Sequence, residues 1–160
     1  MTQHQPLQPQ GDQTPAAPAV SRAPGRLLVI DDDPSICALI AKLGERVGFA
    51  PTSATSFEQA IQSLRATEFD CITLDLQLGA KNGVQMLRFL ADMACKAPII
   101  VISGSQHTAR SLALKIGHSM KLKLLEPVPK PIDLAALRTL LAHVKERLDF
   151  QRNAGISQTA

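Results

Sequence analysis

The sequence predicts an α/β fold, a doubly wound five-stranded parallel sheet with helices on both faces. Three observations carry this. Short apolar runs at residues 27–30, 71–74 (interrupted only by Thr73) and 99–102 read as strands buried on both sides. Between them, apolar residues recur every three or four positions, the period of a helix with one covered face. The two patterns alternate along the chain, and strands separated by helices run parallel.

In chain order, Leu27-Leu28-Val29-Ile30 forms the first strand and runs straight into Asp31-Asp32-Asp33. Pro34 suits the first turn of a helix. Ile36, Leu39, Ile40, Leu43 and Val47 mark its apolar face, and Gly48 supplies the stop. Residues 52–55 make a weak second strand. Ser56 caps a helix with Phe57, Ile61 and Leu64 inward. The third strand, 71–74, ends on Asp75. A loop with Gly79, Asn82 and Gly83 leads to a third helix marked by Val84, Leu87, Leu90 and Ala91. Pro98 opens the fourth strand, which ends on Ser103-Gly104. A fourth helix is expected over 107–116 and a fifth strand within 124–129. Pro127 and Pro129 lack amide donors there, which suits an edge strand. Asp133 caps a last helix along Leu134, Leu137, Leu141, Val144 and Leu148.

Residues 1–25 hold five of the 11 prolines and five glutamines, with too little apolar surface to offset their ordering entropy. They read as a disordered tail, residues 26–150 as one domain, and 151–160 as a short flexible end. Aromatics make up only 3%, with no Tyr and no Trp, which argues against a stacking surface for single-stranded nucleic acid. No apolar run approaches the ~18 residues of a membrane span, so no membrane partner is expected. Cys37, Cys71 and Cys95 are few and widely spaced, which suggests a reducing, cytoplasmic setting. Charge is uneven: residues 26–109 carry a net −2 and residues 110–160 a net +5. The basic third is either a solvated surface or a face for an acidic partner.

In such sheets the ligand lies beyond the carboxyl ends of the strands. The residues expected there are Asp31, Asp32 and Asp33, then Asp75, Ser103 and Lys130. Two carboxylates ~6 Å apart repel by roughly 3 kcal/mol at an effective dielectric of ~20. A hard divalent cation relieves that repulsion, and an all-oxygen site with room for water suits Mg²⁺. One acid after the first strand needs no more explanation than the helix macrodipole. Three in succession, facing a further strand-end Asp, point to a site.

These residues resemble the CheY-like receiver domain of two-component response regulators, over about residues 27–148. The motifs are Asp31-Asp32-Asp33-Pro34 after the first strand, Ile72-Thr73-Leu74-Asp75 with Asn82-Gly83 behind it, Ser103-Gly104, and Lys130-Pro131. The resemblance implies a flavodoxin-like fold and a phosphoacceptor at Asp75, with Lys130 and Ser103 assisting. It also implies Mg²⁺ held by Asp31, Asp32, Asp75 and the backbone carbonyl of Gln77, with a cis bond between Lys130 and Pro131. Implied partners are a histidine kinase or histidine phosphotransfer protein, and a target protein on the face of helix four, strand five and helix five. Candidate basic contacts on that face are Arg110, Lys115, Lys121, Lys123, Arg138 and Lys145.

The sequence departs from the family in two telling places. Gly79 stands where a Pro is frequent, and is expected to loosen its loop. Pro127 stands where many receivers carry a switching Tyr or Phe. The expectation is a stand-alone receiver that signals by phosphorylation-dependent protein binding. The alternatives are a phosphorylation-independent adaptor, or a haloacid-dehalogenase-type phosphatase with Asp31 as nucleophile.

Overall fold

A computed structural model describes residues 23–79, 81–104, 111, 115–117 and 119–156. The elements are β1 (Gly25–Ile30), α1 (Pro34–Val47), β2 (Phe49–Ala54), α2 (Phe57–Ala66) and β3 (Cys71–Asp75). A small hairpin of β4 (Gln77–Leu78) and β5 (Lys81–Asn82) follows, then α3 (Gly83–Asp92), β6 (Ile99–Ser103), β7 (Val128–Pro129) and α4 (Leu134–Ile156). Five strands pair in the order β2-β1-β3-β6-β7, all parallel. Counted within the sheet, this is the doubly wound order whose chain direction reverses between the first and third strands. The ends of β1 and β3 are therefore where a ligand site belongs.

Alternation along the central strands splits the core in two. Leu28, Ile30, Ile72, Leu74, Ile99 and Val101 face α2 and α3, packing with Ala60, Met86, Leu87 and Leu90. Leu27, Val29, Cys71, Ile100 and Ile102 face α1 and α4, packing with Cys37, Ile40, Leu137, Leu141 and Val144. Every residue of β3 and β6 is buried, as strands covered on both faces should be. Thr73 also lies in this interior, and among the described residues its hydroxyl has no hydrogen-bond partner.

The capping expectations hold. Asp33 Oδ1 accepts from Ser35 N–H at 2.8 Å, Ser56 Oγ from Gln59 N–H at 3.2 Å, and Asp133 Oδ1 from Ala135 N–H at 2.9 Å. Gly48 ends α1 with φ +98°, a backbone state that glycine enters without steric cost.

Three boundaries differ. β2 begins at Phe49 rather than at residue 52, because β2 is an edge strand and tolerates Pro51 within it. The fifth strand is interrupted: Leu124 bridges to Ile99, pairing then lapses, and β7 proper is only Val128–Pro129. Pro127 sits at the interruption and has no amide to give. The last helix does not stop at 150 but runs to Ile156, so residues 151–156 are helix and not a loose tail. Arg152 accounts for this. Its guanidinium donates to Asp70 Oδ2 at 3.2 Å and to the Ala23 carbonyl at 2.9 Å, tying the helix end to the start of β1. Most of the expected fourth helix and nearly all of the expected N-terminal tail lie outside the described residues; 115–117 and 119 are helical. No described helix is long and apolar enough to cross a membrane.

Candidate functional site

Four strand ends converge on one edge of the sheet. Asp31 follows β1, Asp75 ends β3, Ser103 ends β6 and Lys130 follows β7. Asp31, Asp75 and Ser103 are buried, while Asp32 is exposed. The arrangement follows from the register: Asp75 pairs with Ile102, and Ser103 with Pro129, so each polar residue falls at the last rung of its ladder.

Lys130 closes the cluster. Its Nζ donates to Asp31 Oδ2 at 3.0 Å and to Asp75 Oδ2 at 2.8 Å. The remaining oxygens are also held, Asp31 Oδ1 by Asp33 N–H at 2.9 Å and Asp75 Oδ1 by Gln77 N–H at 3.0 Å. The lysine backbone is fixed in turn. Its N–H donates to the Ser103 carbonyl at 2.9 Å, and the Lys130–Pro131 bond is cis, as the sequence led us to expect. Ser103 is thus tied to Lys130 through the main chain.

Burial pushes the Asp75 carboxyl above its ordinary pKa, and the hydrogen bonds from Lys130 and the Gln77 amide only partly offset it. For Lys130, burial alone would lower the pKa, but the hydrogen bonds and charges of Asp75 and Asp31 outweigh it and raise the value. The two directions belong to one contact. Asp75 is the deeper partner and bears most of the desolvation, while the lysine side chain keeps about 25% of its surface exposed.

Asp32 is aimed by a residue 47 positions away: its Oδ2 accepts from Gly79 N–H at 3.1 Å. This corrects the expectation that Gly79 loosens its loop. A Pro there would have no amide to donate. Gly79 also has φ +54°, the left-handed region that a side chain enters only with strain. Asp31, Asp32 and Asp75 each present a carboxylate oxygen, all within 4.8 Å of one another. Three hard oxygen donors at that spacing fit an oxygen-seeking divalent cation.

Two further residues carry the site: Gly83, read in the sequence only as the end of the Asn82-Gly83 motif, and Cys37, which no motif included. Gly83 lets α3 start directly against the end of β3. Cys37 donates its thiol to the Asp31 carbonyl at 3.2 Å, bracing the strand end from α1. Its position in the apolar stripe of α1 was the available signal. One expected contact does not belong to the basic face. Lys145 is buried and ion-paired with Asp149 on the side of α4 that meets Gly48, so it is spent on packing. Lys115, Lys121, Lys123 and Arg138 are exposed, while Arg110 lies outside the described residues.

The Gly79 tether makes a direct prediction. A Cβ at Gly79 would come no closer than 3.9 Å to Asp32, so Gly79→Ala has room and suffers only from its backbone angle. Strain of about 1 kcal/mol will relax the loop and release Asp32. Divalent-cation affinity measured by calorimetry should fall roughly fivefold. Unchanged affinity would show that the tether does not aim Asp32.

Residues 27–142 match the family model described as the response regulator receiver domain. The chain is 27% identical over 121 residues to the transcriptional regulatory protein ZraR of Escherichia coli, covering 73% of this chain and 26% of ZraR. It is 29% identical over 129 residues to the regulatory protein VirG of Agrobacterium tumefaciens, covering 79% of this chain and 45% of VirG. It therefore spans about a quarter of the one and under half of the other. A solved response regulator from Burkholderia pseudomallei, with a phosphorylated aspartic acid, calcium ion and citrate, is 30% identical with a TM-score of 0.59. That match covers 79% of this chain and 74% of the other. With the sheet order, the acidic cluster at its switch point and a family match over most of the described fold, this chain belongs to the receiver-domain family of two-component response regulators.

Proposed function

We propose that this chain takes a phosphoryl group onto Asp75 from a histidine kinase or histidine phosphotransfer protein, and signals by changing which protein it binds. The observation that carries the reading is Lys130 Nζ bridging Asp31 and Asp75 at the switch point of the sheet. A carboxylate oxygen of Asp75 attacks phosphorus, the new O–P bond forms, and the bond to the donor breaks as the donor leaves. Lys130 already stands on the attacking carboxylate and can follow the charge onto the phosphoryl oxygens. Ser103, buried at the end of β6, supplies the hydroxyl for a further oxygen.

Asp31, Asp32, Asp75 and the Gln77 carbonyl are the groups that would hold Mg²⁺, which when bound neutralises charge on the transferring group. The Burkholderia relative, with its phosphorylated aspartic acid and calcium ion, supports both parts of this reading. Modification brings about −1.5 to −2 charges into the pocket. With Pro127 in place of an aromatic, the response runs through Ser103, Gly104 and Lys130. Exposed Lys115, Lys121, Lys123 and Arg138 give the adjoining surface a positive charge suited to an acidic target.

The test is to treat the chain with a small phosphodonor and Mg²⁺ and to locate the acyl phosphate by reductive trapping. Asp75 should carry it, and Asp75→Asn should stay unmodified. Label on Asp31 would favour the phosphatase alternative, and no label at all the phosphorylation-independent adaptor.

A further inference from the structure

A cavity of about 420 Å³ lies at the start of the interrupted fifth strand, at the end of the sheet opposite Asp75. Its walls are Pro98, just before β6, then Leu122, Leu124 and Leu125, with Val144 and Leu148 of α4 across from them. All six are apolar and none is aromatic. The main-chain amides along this floor are already spent. Those of Leu122, Leu124 and Leu125 donate to the carbonyls of Gly117, Leu122 and Ile99 at 3.0, 3.1 and 2.9 Å. The rim has the opposite character. Lys123, His143 and Arg147 stand on it and are exposed, and among the described residues none of the three side chains has an ion pair or hydrogen bond. The acid on the rim, Asp70, is engaged elsewhere: its Oδ2 accepts from Arg26 N–H at 2.7 Å and from Arg152 at 3.2 Å.

We propose that this cavity binds a small amphipathic anion, an aliphatic chain ended by a carboxylate, of the medium-chain fatty acid class. Its volume falls within the ~300–1,000 Å³ of small-molecule sites. A floor whose amides are spent takes a ligand body without polar atoms, because a polar group placed there would lose its water and find no partner. The absence of rings to stack on favours a flexible chain over a planar aromatic one. At the mouth, Lys123 and Arg147 supply fixed positive charge and His143 a ring N–H, so the head group selected is an anion. The same spent amides disfavour an extended protein segment, which takes much of its affinity from main-chain hydrogen bonds when it docks along a strand. An aliphatic chain needs none. The inference does not rest on phosphorylation of Asp75, because the cavity is present in the unmodified chain and lies at the other end of the sheet.

Calorimetric titration of the unmodified full chain with butyrate, hexanoate, octanoate and decanoate tests it. Decanoate should bind saturably at one per chain, and affinity should rise about fourfold per added CH₂ until the cavity is full. Decanol, with the same chain and no charge, should bind about tenfold more weakly than decanoate. Amide chemical shifts should move at residues 122–125 and 144–148 and stay put at 75–79. The double variant Lys123→Glu/Arg147→Glu alters only exposed side chains, so its circular dichroism spectrum should match the wild type. It should lose decanoate and gain decylammonium, which the wild type refuses. Uptake of decanoate without saturation, decanol bound as tightly as decanoate, or a double variant that still prefers the anion would each overturn the proposal. So would an acidic, leucine-bearing peptide that moves these amides where decanoate does not, since the occupant would then be a protein segment.

Discussion

Lys130→Met should unfold about 10 °C below the unaltered protein. Methionine keeps the unbranched stem that lies along Gly104 but removes the ammonium. Two carboxylates, Asp31 and Asp75, then remain almost fully buried with no cation between them. Removing one partner of a buried ion pair costs 3–5 kcal/mol; because the lysine is partly solvated, the low end of about 3 kcal/mol applies. At this chain length each kcal/mol moves the midpoint by roughly 3 °C.

The pH dependence has a defined sign. Lys130 has its pKa raised by folding, so its contribution is complete below its unfolded value near ~10.4 and fades as pH climbs through the higher folded value. Asp75 is also raised. Its charge therefore costs stability above the unfolded value near ~3.9, and that cost disappears as pH falls through the folded value. The Lys130→Met deficit should accordingly be full at neutral pH and shrink toward acid, where Asp75 takes up its proton. Two additions sharpen the test. Asp75→Asn on top of Lys130→Met should recover much of the loss, since one of the stranded charges is gone. Millimolar divalent cation should recover part of it by replacing the missing positive charge. Thermal denaturation of the unaltered protein, Lys130→Met and Lys130→Met/Asp75→Asn, each with and without cation, measures all of this, and a deficit below about 3 °C would mean the carboxylates manage without the lysine.

Asp31 and Asp75 were legible in the sequence because each follows a short, largely apolar run. A strand buried on both faces announces itself in Leu27-Leu28-Val29-Ile30, and the polar residue after it must lie at the sheet edge. Edge elements were harder to read. β2 carries Pro51, Thr52 and Ser53 because it pairs on one side only, and β7 is cut to two residues beside Pro127. Local periodicity has no means of marking either. The same limit hid the tether from Gly79 to Asp32, which spans 47 residues and consists of one backbone amide. The length of α4 escaped for a related reason. Beyond Leu148 its stripe turns polar, and what holds that end is the ion pair of Arg152 with Asp70, a long-range contact that no amphipathic pattern records. Lys145 shows the converse error: a lysine amid charged neighbours reads as surface, yet an acid one turn later lets it be buried.

Gly83→Ala is expected to damage the fold and the acidic pocket together. A Cβ on Gly83 would sit 2.7 Å from the Asp75 carbonyl oxygen and 2.7 Å from Leu76 Cα, both main-chain atoms that cannot rotate away. Gly83 N–H also donates to the Leu76 carbonyl at 2.9 Å, which fastens the start of α3 to the end of β3. Alanine must therefore push α3 and β3 apart. Overpacking of this kind costs about 1–3 kcal/mol, against which the better helix propensity of Ala returns at most ~1 kcal/mol. The displacement does not stop at α3, because the hairpin of β4 and β5 lies between Asp75 and Gly83. That hairpin carries the Gln77 amide that holds Asp75 Oδ1, and the Gly79 amide that holds Asp32 Oδ2 lies at its turn. Divalent-cation affinity should fall alongside stability. Gly44→Ala provides the contrast: its Cβ would meet Leu27 Cδ2 at 2.6 Å, the far end of a side chain in the other half of the core. That variant should lose stability while binding cation as the wild type does. If both glycine variants lost stability with cation affinity intact, α3 could retreat without moving the hairpin, and the close approach at Gly83 would serve packing alone.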